Sequence, residues 1–108
     1  MLVVYTAVFE ADAALADHFQ VGERLIDAKG KEDAGKILRI TREAARREDV
    51  FGSYPLPERV TLAVTLLGEG VLGKDGARVG TLTPRVGETL YLLGKGMVEG
   101  LCVKVRTI

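Results

Sequence analysis

The sequence predicts an α+β domain. Its sheet is mostly antiparallel, has five or six strands and curls into a partial barrel, with one principal helix at about 32–49. Three observations carry this reading. Val60, Leu62, Val64 and Leu66 alternate with Thr61, Ala63 and Thr65, the period of a half-buried strand. Lys74-Asp75-Gly76 sits between two apolar arms, a hairpin signal. Ile37, Ile40 and Ala44 recur at helical spacing, with Glu32 and Asp33 before them and Arg46 and Arg47 after, as the helix dipole favours. At 108 residues and 47% hydrophobic content, the chain suffices for one domain, 1–108, with its own core.

Taken in order, Met1 to Phe9 is dense in β-branched and aromatic residues and reads as a strand buried on both faces. The alanine-rich segment after it suits one or two helical turns, with Asp12 as cap. A short strand fits Glu23–Asp27. The helix from Lys31 to Asp49 places Lys36, Arg39, Arg42 and Arg46 on one face, with Arg39–Glu43 and Glu43–Arg47 at pairing distance. Pro55 and Pro57 make the next stretch an extended connection. After the hairpin, 86–93 reads two ways: the spacing of Val86, Leu90 and Leu93 favours a short helix after Pro84, ended by Gly94-Lys95-Gly96, while Gly87 weakens it and "ETLYLL" also reads as a strand. The closing strand turns Val103, Val105 and Thr107 one way and Lys104 and Arg106 the other.

Charge narrows the function classes. Fifteen basic residues balance fifteen acidic ones, so no global field draws the chain to nucleic acid or anionic lipid. The balance is uneven: 8 basic less 11 acidic residues through Glu58 gives −3, and 7 less 4 from Arg59 gives +3. An anionic ligand therefore belongs with the C-terminal half. There is no Asn or Trp, one Gln and one Ser, a bias that points to a thermophilic or GC-rich source. The Met1–Phe9 run lacks a basic start and a cleavage-like site, and no apolar stretch approaches the roughly 18–20 residues of a membrane span. With Cys102 alone, a reducing, cytoplasmic setting is expected, without a membrane partner.

Catalytic and metal-binding sets are not visible. His18 is the single histidine and has no nucleophile pattern beside it, and Cys102 reads as a small core residue. Gly73-Lys74 is followed by Asp75, so the glycines there form turns and not a phosphate loop. No enzyme activity, cofactor or metal is expected.

One resemblance reaches further. Asp75-Gly76, Val79-Gly80, Leu82, Pro84, Leu90, Leu93, Gly96, Val103 and Val105 follow a pattern of apolar strand, turn, leucine-spaced segment and closing strand. This resembles the second half of a HIRAN domain and covers roughly residues 60–108, under half the chain. The chain departs from the family where "LLGEG" replaces an Asn- and Asp-rich loop, and the arginine-rich segment of the first half has no counterpart. The resemblance implies an OB-like barrel that takes a single-stranded DNA end without catalysis. Bases would stack on Tyr91 and Tyr54, while Lys74, Arg78, Arg85 and Lys95 would hold phosphate.

Two expectations result. The first is a non-enzymatic module for nucleic acid, single-stranded DNA in particular, in a small accessory protein. The second is a homo-oligomeric interaction or assembly protein, such as a phage structural or regulatory subunit, that pairs through edge strands and has no nucleic-acid role.

Overall fold

The computed structural model describes residues 1–108. Eight strands run in chain order: β1 Leu2–Asp12, β2 Arg24–Asp27, β3 Asp33–Asp49, β4 Gly52–Glu69, β5 Val71–Gly73, β6 Gly76–Arg78, β7 Thr89–Leu93 and β8 Met97–Thr107. A single helix, α1, spans Ala13–Ala16. Six strands pair in the ring β1-β4-β3-β2-β7-β8, every neighbour antiparallel, and β5 and β6 form a separate hairpin. The ring is uneven. β1 and β4 share eleven register pairs, whereas the β2–β7 seam has only Ile26–Leu93 and Asp27–Leu92. The result is a distorted barrel, closer to all-β than to α+β.

The expected helix at 32–49 is β3. Twelve of its residues pair with β4, and two register shifts, at Ile37/Arg39 and Ala44/Arg46, interrupt the alternation. Ile37, Ile40, Arg42 and Ala44 stand opposite the buried Leu66, Val64, Leu62 and Val60. The bulge at Leu38 widens one step from two residues to three, so the apolar spacing imitates a helix. Of the two readings open for 86–93, the structure takes the strand over the preferred helix. Pro84 lies buried in a loop, and the leucines belong to β7, where Leu90 and Leu92 point into the core.

The other elements follow the sequence more closely. The β5–β6 hairpin turns at Lys74-Asp75, and β2 falls where a short strand was expected. In β4, Val60, Leu62, Val64 and Leu66 are all buried, as their alternation requires. Cys102 is a core residue. β1 is apolar on both faces but buried on one: Val3, Tyr5, Ala7 and Phe9 face the core, while Leu2 is exposed and Val4 and Val8 half-buried. Asp12 precedes α1 without capping it by its side chain; its carboxylate takes Arg59 Nη1 at 2.9 Å. In β8 a bulge opposite Thr6/Ala7 leaves Val103 outward instead of aligned with Val105.

The core fills the ring with Tyr5, Leu25, Ile37, Leu62, Leu66 and Leu92. The Tyr5 hydroxyl donates to the Ala34 carbonyl, and burial, assisted by Asp33, pushes its phenol above the usual range. The two barrel ends differ. One end carries Met1, Gly70 and Ile108, tied by Gly70 N to Met1 O at 2.9 Å and Ile108 N to Leu2 O at 2.8 Å. Here the β5–β6 hairpin folds over, and Val79 drops into the core against Gly68. The other end carries α1 and the β7–β8 turn. Phe19 closes it, packed edge-on against Phe9 at 5.6 Å.

From this second end the β3–β4 hairpin continues past the barrel. β1 stops pairing with β4 at Asp12–Arg59, and β2 stops pairing with β3 at Lys36. Beyond the Ala44/Arg46 shift only four pairs remain, from Arg46–Pro55 to Asp49–Gly52. The stretch that looked like a connection is thus half of a two-stranded arm, whose free edges tolerate Pro55. The molecule measures 47 × 26 × 23 Å.

Candidate functional site

Five residues were expected to share a binding surface: Lys74, Arg78, Arg85, Tyr91 and Lys95. The structure brings some together and separates others. Lys74 lies in the exposed β5–β6 turn, and Asp75 beside it pairs with Arg85 at 3.4 Å. Arg85 also faces Glu88 at 3.7 Å, so two carboxylates already engage its charge. Arg78 lines a different depression, between Glu32 and Glu69 at the Met1 end. Lys95 sits in the β7–β8 turn, at the opposite end of β7 from Arg85. Tyr91 is half-buried on β7, and Lys29 Nζ stands 4.6 Å from its ring centre, occupying one face.

A groove of about 410 Å³ beside Tyr91 is lined by Asp27, Lys29, Thr81 and Glu88, among others. Asp27 is buried but satisfied: it accepts from Thr81 Oγ1 at 2.7 Å and from the Lys29 amide at 3.2 Å. The carboxylate thus pins the 27–32 turn to the loop before β7. Two carboxylates in the lining work against an anionic guest.

His18 is exposed in the turn after α1, and Asp17 beside it is held by Arg42 at 2.5 Å. The Cys102 thiol is buried, and desolvation raises its pKa, which keeps it protonated.

Two surfaces that the sequence reading passed over are more distinctive. The first is the arm. Every residue from 46 to 55 is exposed. At its tip, Val50 is 93% and Phe51 95% exposed, with Tyr54 nearby at 45%. Turn tips usually carry polar or flexible residues, so two large apolar side chains there stand out. The turn is nevertheless built firmly. The Asp49 carboxylate accepts the Phe51 amide at 2.7 Å, Gly52 takes a φ of +118°, and Arg46 bonds Ser53 Oγ across the strands at 2.9 Å. Charge on 46–55 cancels, Arg46 and Arg47 against Glu48 and Asp49.

The second is a groove of about 430 Å³ on the outer wall of β8, β1, β4 and β3. Leu2, Val4, Leu38, Leu67 and Ile108 give it an apolar floor, and Arg39, Lys104 and Arg106 rim it without any acidic residue. None of these three cations is paired with a carboxylate within 4.0 Å. The outward apolar side of β1, which made its sequence look doubly buried, forms part of this floor. A sequence signal for the arm did exist: Asp49 and Gly52 flank just two residues, a turn signature. The groove had none, because its residues come from four strands.

No helix is long and apolar enough to cross a membrane. Comparisons with family models, with curated proteins and with solved structures returned no match.

Proposed function

We propose that this chain is a non-enzymatic interaction module whose working element is the β3–β4 arm. The observation that carries the reading is Phe51, held by a structured turn and 95% exposed at the end of a strand pair that packs on nothing. An ordered apolar tip has no role in the core, whereas desolvation by a partner would make it favourable; aromatic anchors of this kind dominate protein interfaces. The neutral charge of 46–55 fits a protein surface better than a polyanion.

The test is a photo-crosslinking side chain at position 51, compared with the same probe at Lys95, in purified protein and in extract of the source cells. Adducts specific to position 51 are expected. Equal labelling from both positions would count against the arm.

A second reading keeps nucleic acid as the ligand, on one observation: Arg47 stands opposite Tyr54 on the arm, a cation beside an exposed ring. Single-stranded oligonucleotide binding that weakens steeply with salt and is lost in Arg47→Ala/Tyr54→Ala would favour it. Absence of binding at low salt would remove it.

A further inference from the structure

Resting on the arm as the docking element, we infer that its partner is a second copy of this chain, whose outer groove receives the tip. The two surfaces complement each other in polarity and in charge. The turn itself, 48–51, offers Glu48 and Asp49 beside the exposed Val50 and Phe51, while Arg46, bound to Ser53, and Arg47 lie one step back toward the barrel and bring the arm as a whole to zero charge. The groove offers the reverse, with Leu2, Leu38 and Ile108 in its floor and Arg39, Lys104 and Arg106 around it. Those cations have no carboxylate partner in their own chain, and Glu48 has no cation partner in its own. Complementary potentials of this sort set register and exclude wrong partners.

Topology makes the contact intermolecular. The arm leaves the barrel at the α1 end and points away from it. The groove runs along the wall toward Leu2 and Ile108, at the opposite end. A tip cannot turn back to its own groove without unpairing β3 from β4. It can reach the groove of a neighbour. Zero net charge opposes such self-association only weakly. Because tip and groove are different patches, a reciprocal exchange of arms closes a pair, and a one-way exchange builds a ring or chain.

A charge swap tests this directly by sedimentation equilibrium. The wild type is expected to exceed its 11.6 kDa monomer mass as concentration rises. Glu48→Lys, which leaves the Asp49–Phe51 turn contact in place, sets a net basic tip against a basic groove, and Lys104→Glu/Arg106→Glu sets an acidic groove against the carboxylates of the wild-type turn. Each variant alone is expected to associate at least about tenfold more weakly. An equimolar mixture restores opposite charge at both contacts and is expected to regain wild-type mass. Phe51→Ser, which touches no core residue, is expected to weaken association about 30-fold without changing the circular dichroism. A wild type that stays monomeric at high micromolar concentration overturns the second copy as partner. So does a mixture that fails to recover. In the monomeric case, position-51 adducts with a different protein would leave the arm reading standing, and their absence would end that reading too.

Discussion

β3 and β4 run through two regions that obey different rules. Below the Ala44/Arg46 register shift, Ile37, Val60, Leu62, Val64 and Leu66 are each at most 8% exposed, and the pair forms the longest wall of the barrel. Above it, the same two strands bury nothing, and their most apolar side chains lie furthest out. The bulge is where the change occurs. There, Ala45 faces the stretch between Pro55 and Val60, and Glu58 adopts a φ of +62°. Such an irregularity re-aims a hairpin and uncouples its end from the ladder below. The contrast divides one hairpin into a half that builds the core and a half that buries nothing, the half on which the proposed docking rests. The tip adds nothing to the buried core, so packing does not constrain its sequence.

The sharpest way to break that division is in the wall. Leu66→Ala is expected to cost about 2–5 kcal/mol, read from denaturant unfolding, since Leu66 is wholly buried. Tyr5→Phe comes next, at about 1–3 kcal/mol, because the buried Ala34 carbonyl loses its hydroxyl donor. Tyr5 also gives a pH signature. Its phenol is raised in the fold, so its contribution is complete below the ordinary tyrosine value of about 10 and declines as pH rises beyond it. Thermal melts across that range should flatten in the phenylalanine variant. At the acid side, Arg24 bonds Asp33 at 2.7 Å and lowers its pKa. That contribution is present above about pH 3.9 and lost as pH falls through the lowered value. Asp33→Asn should remove this part of the acid transition, a smaller effect because both side chains are largely exposed. Last, Val50→Ser/Phe51→Ser should change unfolding by no more than about 0.5 kcal/mol. A larger loss would show that the arm belongs to the folding unit.

The same division governs what could be read in advance. Strands with an unbroken period of two, as in Val60–Leu66, were legible, as was the Lys74-Asp75 turn. β3 was not: its bulge at Leu38 shifts the alternation, and its charged ends mimic helix-dipole preferences. Pairing with β4 overrides that local preference. β7 was ambiguous because Leu90 and Leu93 suit a helix, while the pair that alternates inward is Leu90 and Leu92. Of the expected site residues, only Arg85 and the Lys74 turn lie together. The others are separated by strand ends, which spacing along the chain does not report. The arm tip lay inside a segment taken for a connection, and the groove exists only once β8 lies beside β1.

The central claim is that Phe51 is exposed in the free chain and covered by another copy when chains associate. A fluorinated phenylalanine at position 51, followed by ¹⁹F resonance over a concentration series, tests it most directly, with a second label at the buried Phe9 as reference. The expected result is a position-51 signal that loses its H₂O/D₂O solvent shift as concentration rises, while the Phe9 signal stays fixed. A position-51 signal that remains solvent-sensitive at every concentration, in a sample whose mass shows association, would contradict the claim.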